Sequence, residues 1–84
     1  MTKNEVKKMR DAALDKVMAA AHELEWLCNQ VTAQCDAEYD TLGEKTPENS
    51  KQFNEILDRR YEARSAFAII MLAKSDISFA RKLY

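Results

Sequence analysis

The sequence predicts an all-α protein, an antiparallel hairpin of two long helices that we expect to pair with a second copy as a dimeric four-helix bundle. The only glycine and the only proline, Gly43 and Pro47, lie near the middle of the 84 residues, so one break divides the chain. On both sides of the break apolar residues recur at helical spacing, and no strand-like alternation is sustained. Residues 1–84 are therefore interpreted as a single helical-hairpin domain.

The first helix is predicted to run from about residue 3 to about residue 42. Thr2 and Glu5 have the spacing of a capping box, and Gly43 suits the position just past a helix end. Between these signals apolar residues advance in steps of three and four, with the mean step of an α-helix. The main apolar stripe of this helix contains Val6, Met9, Ala13, Val17, Ala20, Leu24, Leu27, Val31, Cys35, Tyr39 and Leu42.

The second helix is predicted over about residues 47–82, after a turn at residues 43–46, with Thr46 as N-cap and Pro47 as the first helical residue. It carries two apolar stripes, and one neighbouring helix covers only one of them. The first stripe contains Phe53, Ile56, Ala63, Phe67, Ile70 and Met71. The second should face another copy of the chain. We predict self-association through Leu57, Tyr61, Ala68, Leu72, Phe79 and Leu83.

Two finer features of the hairpin follow from the charged and capping residues. Ser75 and Asp76 could cap a separate short terminal helix, which would shorten the second helix. Opposite charges meet along the hairpin if paired positions sum to about 89, and such pairs specify alignment more than they stabilise. The pairs of this register are Glu25 with Arg64, Asp15 with Lys74, and Glu38 with Lys51.

Composition narrows the function classes. Cys28 and Cys35 lie seven residues apart, roughly 10 Å along a helix and beyond the reach of a disulfide, so we expect thiols in a reducing compartment. One histidine and two cysteines do not complete a zinc site, and we predict no metal and no cofactor. The longest apolar run, residues 66–73, is far shorter than the roughly 20 residues that cross a bilayer. We therefore expect a cytoplasmic protein without a membrane partner.

Enzymatic activity is not expected, and no catalytic residue is predicted. His22 precedes Glu25 by three residues, but this order reverses the Glu-x-x-His arrangement of di-metal bundle sites and has no second copy. The sequence contains no phosphate-binding glycine loop and no nucleophile elbow. A metal-dependent helical-bundle enzyme is kept as the third hypothesis.

Trp26 is the first candidate for a functional residue. It lies roughly 150° around the helix from the main apolar stripe, so its side chain should face outward. Ala12, Ala19 and Ala33 share its side at seven-residue spacing, and small neighbours allow another surface to approach. Tryptophan is enriched at interface centres, so this side could contact a larger protein or a second copy, or be incidental surface. The predicted partner-binding residues are Trp26, Ala19, Ala33 and His22.

Charge is unevenly distributed along the hairpin. Residues 1–20 and 71–84, which meet at its open end, carry eight basic and four acidic side chains, whereas residues 21–70 carry five basic and ten acidic side chains. The basic end could contact phosphate groups, and the acidic end could face a basic partner. The candidate phosphate contacts are Lys3, Lys7, Lys8, Arg10, Arg81 and Lys82.

The leading hypothesis for function is a non-enzymatic protein-interaction module that acts as a helical homodimer. Such a module would bind a larger protein as an adaptor, a chaperone or an inhibitor, in the manner of secretion co-chaperones or phage-encoded inhibitors. The alternative is a small nucleic-acid-binding regulator that uses the basic open end. Steep loss of DNA or RNA binding with added salt would favour the regulator.

Overall fold

The structure, a computed structural model, describes residues 1–83. Its two helices, α1 (Lys3–Leu42) and α2 (Ser50–Ala80), pack side by side in a rod of 66 × 14 × 14 Å. The predicted all-α hairpin is confirmed. We call the end at which α1 begins and α2 ends the open end, and the opposite end the turn end. Neither helix is long and apolar enough to cross a bilayer, within the part of the chain that is described.

The ends of α1 lie where the capping residues predict them. The backbone N–H of Glu5 donates to the Thr2 hydroxyl oxygen at 3.2 Å, which satisfies one of the free donors of the first turn. At the other end the N–H of Gly43 donates to the carbonyl of Asp40 at 3.3 Å. Gly43 has a φ of 70°, a conformation that costs glycine little and other residues more. The only glycine therefore stops α1 and starts the turn.

The regular part of α2 begins at Ser50, three residues later than predicted, because Asn49 holds the preceding segment as a turn. Its side-chain oxygen accepts the Thr46 N–H at 2.7 Å, and its side-chain amide donates to the Glu44 carbonyl at 3.0 Å. Asparagine that bonds nearby backbone groups competes with helix formation. At the other end α2 continues past Ser75 to Ala80, two residues short of the predicted end, so the separate terminal helix does not form.

The two helices meet along a heptad seam, in which residues recur at alternating steps of three and four. From α1 the seam takes Leu14, Met18, Ala21, Glu25, Cys28, Thr32 and Cys35. From α2 it takes Phe53, Ile56, Arg60, Ala63, Phe67, Ile70 and Lys74. The first apolar stripe predicted for α2 is thus inward-facing, apart from Met71, which is 40% exposed. Among the described residues only five are buried, so the core is small: Ala21, Cys35, Phe53, Ile56 and Ala63.

The main apolar stripe predicted for α1 coincides with the seam only near the turn end. There Cys35 is buried and the ring of Tyr39 packs edge-on against Phe53, with centroids 4.9 Å apart. Towards the open end the stripe lies beside the seam, and Val17 and Leu24 are about half exposed. A straight helix drifts by about 20° per heptad against a strict seven-residue repeat, so a 3.6-residue stripe leaves the seam over several heptads.

The register predicted from charge is wrong. Glu25 accepts a hydrogen bond from Lys74 at 2.6 Å, and the other two acids, Glu38 and Asp15, pair with Arg59 and Arg81. These partners lie seven to ten residues further along the chain than the predicted ones. Exposed charges are numerous on both helices and can pair in several alignments, so packing in the seam decides among them.

Arg10 connects the two helices at the open end. Its guanidinium donates to the carbonyl of Leu83 at 2.6 Å and to that of Arg81 at 3.3 Å, and so satisfies carbonyls just past the end of α2. With 40 residues against 31, α1 is longer than α2 by about 14 Å at 1.5 Å per residue. Residues 3–9 consequently project past the described end of α2, and we call them the overhang.

Replacing Arg10 by Ala should destabilise the hairpin, because the last carbonyls of α2 lose a charged donor. We expect the free energy of unfolding to fall by about 1 kcal/mol, a typical value for such hydrogen bonds at a partly exposed site. Urea denaturation followed by circular dichroism measures the change. Lys8→Ala, an exposed change two residues away, is the control. Equal stability of the two variants would contradict a stabilising role for the Arg10 hydrogen bonds.

Candidate protein-interaction faces

The seam divides the surface of the hairpin into two broad sides. On one side a groove of about 310 Å³ is lined by Leu24, Leu27 and Val31 of α1 and by Arg59 and Glu62 of α2, among others. On the other side a groove of about 270 Å³ is lined mainly by Asp36, Tyr39, Ile56, Leu57 and Arg60. These grooves are shallow, and each is a strip of surface between two helices. The geometry therefore suits contact with another protein surface more than enclosure of a small molecule.

The first side carries a continuous apolar surface, which we call the apolar face. On α2 it continues the row that begins with Arg59 and Glu62, at steps of three and four towards the open end. Its α1 residues are Ala13, Val17, Ala20, Leu24, Leu27 and Val31. Its α2 residues are Ala66, Ile69, Ala73, Ala80 and Leu83. Asp76 is the one charged residue of this α2 row between Ala66 and Leu83.

Large side chains of the apolar face are open to solvent in the single chain. Leu24 is 50% exposed, Leu27 is 45% exposed and Ile69 is 68% exposed. Single exposed apolar residues are ordinary on protein surfaces, but a contiguous apolar patch marks an interaction site. Ile69 belongs to neither predicted stripe. The signal that could have found it is the run from residue 66 to residue 73, which is apolar on every side of the helix.

The second side, which we call the tryptophan face, presents Trp26 outward as predicted. The side chain is 60% exposed, and the flanking Ala12, Ala19 and Ala33 are exposed as well. Trp26 is two residues from Leu24, about 200° around the helix, so it points away from the apolar face. Trp26 and these alanines therefore lie together on the solvent-exposed surface of α1.

His22 lies one turn before Trp26 and contacts a charged pair in the seam. Its Nδ1 is 2.9 Å from Lys74 Nζ, which in turn donates to Glu25 at 2.6 Å. The hydrogen bond from Lys74 lowers the pKa of Glu25, against a smaller opposing effect of desolvation. Lys74 is mostly covered, with 17% of its side chain exposed. A shifted register would separate Lys74 from Glu25, so this pair favours the observed alignment.

No three His, Cys, Asp or Glu side chains of residues 1–83 are grouped so that they could hold a metal ion. The two cysteines are free thiols on the seam, Cys35 buried and Cys28 partly buried. Both therefore fill space between the helices as small apolar side chains.

The residues predicted for self-association are exposed in the single chain but do not share one side. Leu57 lies on the same side of the hairpin as the tryptophan face, in the groove with Tyr39 and Arg60. Leu83 belongs to the apolar face. Leu72 and Phe79 are seven residues apart and point away from the seam, so they occupy the back of α2. The exposed fractions are 46% for Leu57, 74% for Tyr61, 68% for Leu72, 64% for Phe79 and 50% for Leu83, and Ala68 is exposed as well.

The candidate phosphate contacts fall into two groups, arginines that contact the chain itself and lysines that are exposed. Arg10 bonds the carbonyls past the end of α2, and Arg81 pairs with Asp15 and donates to the carbonyl of Asp11 at 3.3 Å. Both arginines thus hold the open end together. The lysines of the set are exposed: Lys3, Lys7, Lys8 and Lys82.

Sequence patterns missed the polar residues of the seam. Glu25, Arg60 and Lys74 occupy seam positions, although hydrophobic patterning assigns charged residues to the surface. Arg60 donates to Asp36 at 2.8 Å at the rim of the seam. The seven-residue spacing from Arg60 to Phe67 and Lys74 is the signal that could have placed them on one line.

Glu25→Gln should reduce the acid sensitivity of the fold. Because the pKa of Glu25 is lowered in the folded chain, its contribution is present above the usual glutamate pKa of about 4.3 and is lost as pH falls through the folded value. The melting temperature of the wild type should therefore approach that of Glu25→Gln on acidification below about pH 4. Glu23→Gln, on the exposed side of the same turn, is the control. A constant gap between wild type and Glu25→Gln would contradict the pairing.

Taken together, the geometry offers two exposed faces on opposite sides of a narrow seam. One is apolar and spans both helices, and the other centres on a single tryptophan. A comparison with protein-family models, a search of curated proteins and a search of solved structures each gave no match.

Proposed function

We propose that this chain is a non-enzymatic protein-interaction module that binds a larger protein through the tryptophan face, as an adaptor, a chaperone or an inhibitor, and acts as a helical homodimer. The observation that carries the proposal is the 60% exposure of Trp26, the only tryptophan, in the middle of a long helix. A bare indole loses favourable apolar burial in water and regains it when a partner covers it.

The neighbours of Trp26 support contact with a broad surface. Ala19 and Ala33 lie two turns before and after it, so nothing bulky on this row keeps a partner from reaching the indole ring. The backbone here is internal helix, which fixes the direction of the side chain before binding and lowers the entropic cost of association. His22 and Asn29 add polar groups at the edge, as the rims of protein interfaces do.

A protein partner is preferred to nucleic acid. Two of the six candidate phosphate contacts, Arg10 and Arg81, serve the open end of the hairpin itself. The exposed Lys7 and Lys8 of the overhang keep phosphate binding as the second candidate, since backbone neutralisation dominates such binding. Absence of DNA or RNA binding at low salt would eliminate this alternative.

Trp26→Ala should abolish binding of the partner with little loss of helicity. Affinity capture from the native host, followed by mass spectrometry, compares the wild type with this variant. Truncation of a central interface tryptophan typically costs at least about 2 kcal/mol, or roughly a 30-fold loss of affinity. Tyr61→Ala removes an aromatic ring that is 74% exposed on the other helix and is the matched control.

The outcome is clear in either direction. A protein recovered with the wild type and Tyr61→Ala but lost with Trp26→Ala supports the proposal, and tryptophan emission should shift to the blue when that protein is added. A protein recovered equally with all three chains would contradict docking at Trp26. Collapse of helicity in Trp26→Ala would instead assign this residue to the core.

A further inference from the structure

The single hairpin exposes more surface than a compact protein of its mass. Its accessible surface is 6466 Å², whereas a folded monomer of 9.7 kDa is expected to expose about 5,100 Å². The excess is about 1,300 Å², and a stable protein interface takes about 800 Å² from each partner. Coverage of one face of the rod by one further molecule would therefore remove about 800 Å² of this excess, which is more than half of it.

The apolar face is the side whose composition fits such coverage. Between Ala13 and Val31 on α1 its members are all alanine, valine or leucine. The tryptophan side is bordered along the same helix by Asp15, His22, Asn29 and Asp36, which form polar contacts with α2. Surface with few polar groups to satisfy gains most when water is removed, and on the apolar face these groups are Asp76 within the α2 row and Arg59 and Glu62 at its start.

We propose that a second copy of the chain covers the apolar face, with the two hairpins antiparallel and related by a two-fold axis perpendicular to the rod. The α1 part of the apolar face, from Ala13 to Val31, is centred on the midpoint of Lys3–Leu42. An axis at this midpoint leaves the ends flush and packs α1 on α1. It places Ala20 of one copy opposite Leu24 of the other, and Ala13 opposite Val31, so small residues meet large ones.

The distribution of charge favours an antiparallel arrangement of the two copies over a parallel one. The open end is basic and the rest of the chain is acidic, with eight basic and four acidic side chains in residues 1–20 and 71–84, against five and ten in residues 21–70. Antiparallel copies place the basic overhang of one beside the acidic turn end of the other. Parallel copies would place like charges together at both ends, which is unfavourable.

This inference deepens the homodimer of the proposed function and leaves the tryptophan face open for a different partner. Trp26 points away from the apolar face, so both contacts can form at once. The α2 residues predicted for self-association, Leu72 above all, would stay outside this dimer except for Leu83. The two faces can therefore be tested independently.

The test compares two glutamate substitutions by sedimentation and by the concentration dependence of melting. Leu24→Glu buries an unpaired charge in the proposed interface and should raise the dimer dissociation constant by about 100-fold or more. Leu72→Glu, at a leucine that is 68% exposed on the back of α2, is the matched control and should change it less than about threefold. Ile69→Glu tests the same face from the other helix and should resemble Leu24→Glu.

Each result supports or overturns the assignment. Leu24→Glu could also lower the helicity of the chain. If helicity then returns as the protein concentration rises, the substitution has weakened the dimer, and this result supports the assignment. If Leu72→Glu dissociates the dimer and Leu24→Glu does not, the assignment is overturned, and the interface is instead the second apolar stripe of α2. A blue shift of tryptophan emission as the wild-type chain is concentrated also overturns it, because Trp26 would then lie in the self-interface. Neither result bears on capture of a partner by Trp26, so failure of the proposed function remains distinguishable.

Orientation is tested by disulfide trapping. Chains with Ala13→Cys and chains with Val31→Cys are mixed and oxidised, and the wild type controls for Cys28 and Cys35. Antiparallel packing predicts disulfide-linked dimers in the mixture and few in either variant alone, since equivalent positions then lie about 27 Å apart. Linked dimers no more abundant in the mixture than in the separate variants would overturn the antiparallel arrangement.

Discussion

The narrow seam between α1 and α2 limits how much of either helix this molecule can bury. Two helices touch along one line, so each can bury only the residues on that line. In this chain the line also carries Glu25, Arg60 and Lys74, whose charged groups contribute little apolar burial. The fully covered side chains are few, and the largest of them, Phe53 and Cys35, lie near the turn end. Towards the open end the contacts between the helices include the Arg10 hydrogen bonds and ion pairs beside the half-buried seam residues Leu14, Met18 and Ile70.

The same constraint explains why so much apolar surface lies outside the core. A straight stripe with a step of 3.6 residues cannot follow a seam with a step of 3.5 along some 60 Å of helix. The stripe of α1 lies in the seam at Cys35 and lies beside the seam from Val31 towards the open end. Of the residues that it leaves exposed, Leu24, Leu27 and Val31 share a groove with Arg59, Glu62 and Ala63 of α2. Towards the open end the same side carries the α2 row from Ala66 to Leu83, so the two helices together present one wide, mainly apolar face. In the proposed dimer this face buries the apolar residues that the narrow seam leaves exposed, and the tryptophan face serves a separate partner.

Local signals were sufficient to predict the elements, and long-range packing was not. Thr2 and Gly43 fixed the ends of α1 because capping acts within a few residues, and the outward direction of Trp26 followed from helical geometry alone. The side of α1 that meets α2 was mispredicted, because angular drift of a few degrees per residue accumulates over the helix. The register failed because Glu25 could pair with Arg64 or Lys74 at little difference in energy. The start of α2 was predicted three residues early, because the side-chain hydrogen bonds of Asn49 cannot be read from the pattern of apolar residues.

In the proposed dimer a second molecule shields the apolar face of the rod. Small-angle X-ray scattering of the unmodified chain tests this most directly, because it measures mass and length together. Two flush hairpins would scatter as a particle of twice 9.7 kDa whose longest dimension stays near 66 Å. A stable, dispersed particle with the mass of one chain, or a pair much longer than one rod, would contradict it.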